Sequence, residues 1–295
     1  MTSLAGIFAH PFMRYAFLAG VPVAAMAGLV GYFMVLRKQV FAADALSHVA
    51  FSGVVTALAF GVDPTLGLFI GTVSFGAVLG LLGTRGRADD VVVGSVFVWI
   101  LGLGVLALSL YRASPRSSAN GAAGVNVLFG SVFGLSATQA LVAAGVAVAL
   151  LVALALIARP LLFASLDESV AGARGVPVQA LGVGFLCLVG ASVAEATQAV
   201  GALLLLGLLA APAGTAHRLT GRPYRAMAAS AALSMLAMVL GLSASYLWPI
   251  LPPSFAILAV STAGYAASFA VGAGAGGGGL LRGRRRPKAR PAPIT

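Results

Sequence analysis

Apolar residues along this chain fall into about nine long runs, separated by short polar or proline-rich breaks. Each run is close to the roughly 20 residues that an α-helix needs to cross a bilayer. The runs cover residues 15–36, 41–60, 65–83, 91–111, 135–158, 178–194, 199–216, 226–247 and 254–271. The pattern therefore predicts an all-α membrane bundle of about nine transmembrane helices.

Some of the breaks between these runs carry strong turn signals, and one does not. Asp63-Pro64 and the proline-rich segment 248–253 are clear ends of apolar runs. The stretch 178–216 is too long for one crossing, and we expect it to break near residues 195–198, where polar side chains interrupt it. Without that break the bundle would have eight helices.

Composition supports a membrane protein and suggests how its helices pack. Hydrophobic residues make up 60% of the chain and charged residues only 8%, with a mean hydropathy of +1.04. A soluble domain of this size needs far more polar surface. Gly67 and Gly71 have the spacing of small residues found at membrane helix crossings. We expect a transmembrane domain over residues 1–271 and a flexible, Gly-rich and basic tail over 272–295.

The basic residues predict how the bundle is oriented. With nine helices, fifteen of the eighteen Lys and Arg residues fall on one side, and only Arg14, Arg112 and Arg116 fall on the other. Because cytoplasmic loops carry the excess of basic residues, the C-terminal tail should be cytoplasmic and the N-terminus outside. We therefore expect a multi-pass protein of the cell membrane (plasma or inner), in contact with lipid and not with nucleic acid.

Asp44 and His48 are the most informative polar residues, because the chain holds only seven carboxylates and three histidines. Residues four apart share a helix face, and an Asp inside a membrane helix costs about 2.5–3.5 kcal/mol. The pair is either a metal site on a transport pathway or a hydrogen-bonded pair near the membrane face. Asp44 follows Arg37 and Lys38 by seven and six residues, about 10 Å if helical. Either the chain between them is irregular, or the basic residues lie deeper in the membrane, within a polar cavity, than hydropathy suggests.

Few other side chains could contribute chemistry. Glu195 and His217 are lower-ranked pathway candidates: we expect Glu195 to be exposed at an outer turn, and His217 to complement the dipole of a helix end. Cys187 is the only cysteine, so no internal disulfide can form. Neither Lys38 nor Lys288 stands in the Gly-Lys-Ser/Thr sequence that binds nucleotide phosphates. We therefore expect a chain that is not an enzyme, and any ATP-driven transport through it would need a separate ATPase subunit.

The segment 160–177 is the longest expected cytoplasmic loop. Ser165 or Asp167 could cap a short helix there, and Gly175 followed by Pro177 would end it. Such a helix can dock a partner or merely connect two spans, and the residues alone favour the connector.

The segment from Leu36 to Ala50, with Asp44-Ala45-Leu46-Ser47-His48 at its centre, resembles the signature of the permeases of manganese, zinc and iron ABC importers, the ABC-3 family. In that family an Arg-rich helix end runs into an Asp-x-Leu-x-His motif. Further stretches resemble the family in the same order, namely Val127–Ser131, Leu166–Val178, Val200–Ala216 and Gly241–Tyr246. The resemblance covers residues 15–270.

This resemblance implies a type II ABC-importer-like permease that passes Mn, Zn or Fe ions and holds no permanent cofactor. It implies that Asp44 and His48 form the metal site of the transport pathway. It also implies that the segment 165–176 docks on an ATPase. The candidate residues of this coupling loop are Asp167, Glu168, Gly172, Gly175 and Pro177. The implied partners are cytoplasmic ABC ATPase subunits, an extracytoplasmic metal-binding protein, and a second permease in a homo- or heterodimer.

Other functions remain open from the sequence. A permease for chelated iron or vitamin B12 would have a similar bundle but would need neither Asp44 nor His48. An ion-coupled secondary transporter would need no ATPase; such proteins often contain internal repeats, and the two halves of this chain show no convincing one. A purely structural membrane subunit is disfavoured by the polar pair in a membrane helix.

Overall fold

The computed structural model describes residues 10–83, 87, 89–113, 130 and 132–276, and these ranges contain nine long α-helices and one short one. The helices are α1 (Pro11–Leu36), α2 (Val40–Phe60), α3 (Pro64–Leu82), α4 (Asp90–Ala113), α5 (Ala137–Leu166), α6 (Glu168–Ala173), α7 (Val178–Val200), α8 (Ala202–Leu219), α9 (Pro223–Leu247) and α10 (Pro253–Gly276). A 3₁₀ turn, Val132–Gly134, precedes α5. The all-α membrane bundle predicted from the sequence is confirmed.

Every predicted apolar run corresponds to a long helix, but two boundaries differ. Helix α5 continues through Pro160 to Leu166, so the loop expected from residue 160 begins at residue 167. Helix α7 continues through residues 195–198, and the expected break falls instead at Gly201. Glu195 does not interrupt the helix because glutamate is a good helix former. Gly201 does, because its φ of +95° is a conformation that glycine adopts readily.

The chain reverses direction at Gly201, so α7 and α8 are separate helices that run in opposite directions. Near the start of α7, Gln179 Nε2 donates to the Gly80 carbonyl, 3.1 Å away, near the end of α3. Near the end of α8, His217 Nε2 lies 3.2 Å from the carbonyl of Tyr32, near the end of α1. By length and apolarity, eight of the described helices could cross a bilayer, every long one except α8. Helix α8 nevertheless returns the chain to the side from which α7 started.

Helices α1, α2 and α7 form the centre of the bundle. Within the most apolar window of each helix, 67% of α1 and 61% of both α2 and α7 is buried, against 17% for α4 and for α5. Helix α1 packs against α5, α8 and α9, and α2 packs against α3 and α4. The faces of α4 and α5 that turn away from this centre are therefore left to lipid or to another chain.

Small residues allow the central helices to approach closely. Gly67 and Gly71 of α3 lie directly against Gly53 of α2, and a Cβ atom at Gly53 would overlap the carbonyl of Gly67. The predicted small-residue spacing thus marks a real crossing. At another crossing, the Ser230 hydroxyl of α9 donates to the Gly28 carbonyl of α1 over 2.6 Å. These contacts join α2 to α3 and α1 to α9.

Several sequence predictions fall outside the described ranges. Residues 127–129 of the Leu-Phe-Gly stretch lie there, and so does most of the predicted tail. Helix α10 is regular to Gly276, five residues into the segment expected to be tail.

Candidate functional site

Asp44 and His48 lie one turn apart on the same face of α2. His48 Nε2 is 4.0 Å from Asp44 Oδ1, which is beyond hydrogen-bond distance, and the two side chains are about one-third exposed. Ser47, between them, is buried, and its hydroxyl donates to the backbone carbonyl of Asp44 over 2.7 Å. Among the described residues, neither the carboxylate nor the imidazole makes a hydrogen bond. Both groups are therefore available to a ligand.

The start of α2 explains how Asp44 can follow basic residues so closely. Helix α2 is regular from Val40, which places Asp44 about 6 Å and His48 about 12 Å along its axis. The turn before it is tight, with Lys38 at φ +57°. Arg37 is only 3% exposed. The chain is therefore helical from Val40 through Asp44 after a tight turn, and Arg37 is enclosed by other parts of the protein.

The surroundings of the pair supply only part of a metal coordination shell. The ring of Phe97 in α4 lies beside the pair, with its centroid 5.8 Å from that of His48. In the part of the chain that the structure describes, no group of three or more His, Cys, Asp or Glu side chains could hold a metal ion. Since zinc and similar ions take four or more ligands, water or another chain would have to supply the rest.

Helix α6 is the short helix expected in the coupling loop, and Asp167 caps it as predicted. Asp167 Oδ1 accepts a hydrogen bond from the Ser169 hydroxyl at 2.7 Å and another from the Val170 N–H at 3.0 Å. The Ser169 hydroxyl, and then the Val170 N–H, lower the pKa of the Asp167 carboxyl, so the cap is ionised at neutral pH. Gly175, with φ +82°, follows the end of the helix.

Beside α6 the molecule presents an open groove of about 450 Å³, lined by Glu168, Ser169, Gly172, Ala173, Val176 and Val178. Gly172 and Pro177 are exposed, and a Cβ atom built on Gly172 would meet nothing within 4 Å. Glu168 lines the groove and also pairs with Arg87. The predicted coupling residues therefore include exposed positions and one carboxylate that is held in an ion pair.

That carboxylate belongs to a charged group that sequence reasoning missed. Arg37, Arg87, Ser165 and Glu168, named here the Arg37 cluster, join the α1–α2 turn, the segment between α3 and α4, and the α5–α6 junction. Arg87 Nε lies 2.7 Å from Glu168 Oε1, and Arg87 Nη2 donates to the Ser165 carbonyl over 3.0 Å. Arg37 Nη1 lies 3.4 Å from the Ser165 hydroxyl.

One carboxylate in this cluster serves two guanidinium groups. Burial, and then the nearby charge of Arg87, lower the pKa of Arg37 to about 10, while Glu168 acts in the opposite direction. Arg37 therefore stays protonated at neutral pH. Its contacts come from parts of the chain far apart in sequence, and no spacing pattern in a single sequence could have indicated them.

Glu195 and His217 lie apart from the Asp44–His48 pair. Glu195 was expected to be exposed, but it is 3% exposed within α7. The His217 ring stacks on Tyr32, with centroids 4.6 Å apart and an interplanar angle of 6°. Because the Tyr32 carbonyl can only accept, Nε2 of His217 carries the proton in the bond between them. Among the described residues, no hydrogen bond, ion pair or ring contact joins either side chain to Asp44 or His48.

Comparison with known proteins gives a consistent picture. The sequence model of a family described as the ABC 3 transport family matches residues 9–272. The chain is 27% identical over 257 residues to a protein of Halalkalibacterium halodurans named as the manganese transport system membrane protein MntC, covering 87% of this chain and 86% of that one. It is also 27% identical over 240 residues to YfeD of Yersinia pestis, named as a chelated iron transport system membrane protein, covering 81% of this chain and 78% of that one.

A solved structure has the same fold. A chain of PsaBC from Streptococcus pneumoniae, determined in complex with a Fab, superposes with a TM-score of 0.76 at 24% identity. The match covers 90% of this chain and 94% of that chain. The helical arrangement described above is therefore one already known among membrane proteins.

Proposed function

Because the chain belongs to the ABC 3 transport family, as its motifs predicted, we propose that it is the permease subunit of an ATP-driven importer of divalent transition-metal ions. The ion would pass a site formed by Asp44 and His48 of this chain and by the equivalent groups of a second permease. The end of the bundle that holds Arg37 would face the cytoplasm. Hydrolysis of ATP would fall to cytoplasmic ABC ATPase subunits.

The observation that carries this proposal is the unbonded pair of Asp44 and His48 on a partly exposed face of a membrane helix. Two ligand atoms each about 2.1 Å from one ion would lie about 3.0–3.4 Å apart. The observed separation of 4.0 Å is close to that range, so a small side-chain rotation would let both groups bind the same ion. A carboxylate and an imidazole together suit Mn, Zn or Fe.

A second permease would complete the coordination shell. Because the pair is partly exposed, a two-fold axis beside α2 would bring the same two groups of a partner to the ion. Such a shell of two carboxylates and two imidazoles would still be open to water, which suits a site that must also release its ion. An extracytoplasmic metal-binding protein would deliver the ion to this pore.

Helix α6 would dock on the ATPase, and the Arg37 cluster would connect it to the metal-binding helix. Glu168 is the first residue of α6, and Arg37 precedes the start of α2 by three residues. A displacement of α6 by the ATPase would therefore pull on the turn from which α2 begins. This connection supports the coupling role of the loop.

Manganese is the favoured cargo, because the relative from Halalkalibacterium halodurans is named for manganese transport. The relative from Yersinia pestis, named for chelated iron, supports a chelated ion as the second candidate. The two cargoes differ in what they require of the chain. A free ion needs ligands from Asp44 and His48, whereas a chelate already carries its own.

The test is manganese uptake by cells that express the complete importer, with Asp44→Asn or His48→Ala in this chain. Each variant should lose about tenfold or more of the uptake at equal membrane levels, since even outer-shell changes cost metal sites that much. Asp90→Asn, which removes an exposed carboxylate at the start of α4, is the matched control. Parental uptake in both site variants would refute the metal site. Loss of manganese uptake without loss of chelated-iron uptake would support the free ion.

A further inference from the structure

A cavity of about 250 Å³ lies where α3, α5 and α7 meet, at the end of the bundle away from Arg37. Its polar lining consists of Thr65 of α3, Thr138 and Gln139 of α5, and Glu195 and Gln198 of α7. Among the described residues that line it, Glu195 is the only charged one. The cavity shares no residue with the Asp44–His48 pair or with the Arg37 cluster.

The carboxylate of Glu195 has no partner among the described residues, although only 3% of the residue is exposed. It does not cap the neighbouring helices. Asp63 already accepts from the first N–H groups of α3, and Ser136 forms a capping box with Gln139 at the start of α5. A buried carboxylate is costly unless it is paired, and in membrane segments such groups mark ion pathways. Within the described ranges, no cationic side chain pairs with this carboxylate, and its oxygens are left to face the cavity.

The lining of the cavity indicates which cation would fit. Its polar groups are a carboxylate, hydroxyls and amides, and neither His nor Cys lines it. Oxygen donors of this kind suit Mg²⁺, Ca²⁺ and Mn²⁺, whereas imidazole and thiolate suit zinc and copper. Since a water molecule occupies about 30 Å³, the space admits an ion with several of its waters. This volume is below the roughly 300–1,000 Å³ of pockets for drug-sized ligands, so the cavity suits a small hydrated ion better than a bulky chelate.

We infer that this cavity is a second cation site, at which a hydrated divalent ion of the manganese class binds Glu195 near the outer face of the membrane. The identity of the ion as cargo rests on the proposed function, but the site itself does not. Ala194, the neighbour of Glu195, packs in one cluster with Ala50 and Val54 of α2. The helix that carries this site thus borders the helix that carries Asp44 and His48, and the outer site would hold the ion before the inner one.

The test is Mn²⁺ binding to the purified full-length chain in lipid nanodiscs, with free Mn²⁺ counted by electron paramagnetic resonance. The parent should show two classes of bound ion. The double variant Asp44→Asn/His48→Ala should keep the class of bound Mn²⁺ that depends on Glu195. When the nearly isosteric Glu195→Gln is added to it, the affinity of that class should fall about tenfold or more. The control variant Asp90→Asn should change neither class of bound ion.

The inference would be overturned if adding Glu195→Gln to the double variant Asp44→Asn/His48→Ala left Mn²⁺ binding unchanged. That result would say nothing against the metal site at Asp44 and His48. A failure of that site would appear separately, as normal uptake in the Asp44 and His48 variants. If Glu195→Gln does not fold, competition between Mn²⁺ and other ions for binding to the double variant Asp44→Asn/His48→Ala decides the question. Excess Mg²⁺ or Ca²⁺ should displace the remaining Mn²⁺ from an all-oxygen site. No remaining Mn²⁺, or Mn²⁺ that these ions do not displace, would overturn the inference.

Discussion

Arg37 begins the turn between α1 and α2 and is almost fully buried, and its neighbours show how this is possible. Its Nε donates to Gln39 Oε1 over 3.0 Å, and its guanidinium carbon lies 5.5 Å from the centroid of the Phe185 ring. The planar guanidinium group is suited to such sites because it can bond in its plane and stack on a ring. Glu168 supplies the nearby negative charge. At the residue scale, the fold thus depends on one carboxylate shared by two arginines.

Glu168→Gln should destabilise the protein by about 1–2 kcal/mol, because it leaves Arg37 and Arg87 facing each other without a counter-charge. The expected loss of unfolding free energy is smaller than for a fully buried ion pair, because both side chains of the Arg87–Glu168 pair are partly exposed. Arg87→Gln should destabilise the protein less than Glu168→Gln does, since Glu168 then balances the charge of Arg37 alone. Thermal unfolding in detergent measures both. Equal stability of Glu168→Gln and the parent would show that the cluster contributes nothing to the fold.

Gly172→Phe should leave the stability of the permease within about 0.5 kcal/mol of the parent, because its side chain would enter open space. It should nevertheless reduce the amount of ATPase that co-purifies with the permease, because it fills the proposed docking surface. Gly175→Ala is a poorer probe, since φ of +82° strains any other residue there. Full ATPase recovery together with normal transport in Gly172→Phe would refute docking at this surface.

At the scale of the elements, the boundary between α7 and α8 depends on backbone conformation and not on polarity. Glu195 and Thr197 are polar and interrupt the apolar pattern, yet both are buried within a continuous helix. The helix ends at Gly201, where φ of +95° and ψ of 151° turn the chain back. Glycine is the residue for which this conformation carries little steric penalty.

Gly201→Ala should therefore destabilise the protein by about 1–3 kcal/mol through backbone strain. Gly184→Ala, in the middle of α7, is the matched control, because its Cβ would meet nothing within 4 Å. That change should stabilise the helix by about 0.5–1 kcal/mol. Unfolding temperatures of the two purified variants give the comparison. If both variants changed the unfolding temperature by a similar amount, a side chain at position 201 would not strain the turn.

At the scale of the whole molecule, the alternation of nine helices places the α6–α7 segment and the α9–α10 loop at opposite ends of the bundle. Arg174 is exposed at the first end, and Ile250 is 90% exposed at the second. The excess of basic residues lies with Arg174. The orientation of the bundle in the membrane can therefore be measured by labelling one position at each end.

In a Cys187→Ser background, Ile250→Cys should react with a membrane-impermeant maleimide added to intact cells. Arg174→Cys should react only after the membrane is permeabilised, because we expect its loop to be cytoplasmic. Labelling followed by gel electrophoresis measures both. The opposite pattern would reverse the proposed orientation, and labelling of both positions in intact cells would contradict the nine-helix alternation.

Local patterns in the sequence were enough to predict the helices and the candidate metal pair. An apolar run of about 20 residues predicts a membrane helix wherever it lies, because the bilayer sets its length. Asp44 and His48 were recognisable because residues four apart meet on any helix. The cap at Asp167 follows from equally local hydrogen bonds.

The sequence by itself thus determined the membrane class, the approximate bounds of most helices, and the one-turn spacing of Asp44 and His48, but it left eight or nine helices open. Only the tertiary structure decided that Arg37 is buried beside Arg87 and Glu168, that Glu195 is enclosed in a cavity, and that Gly53 faces Gly67. The physical reason is that helix formation and side-chain spacing depend on neighbours along the chain. Burial and charge pairing depend instead on which helices pack together, and a single sequence carries no direct record of those contacts.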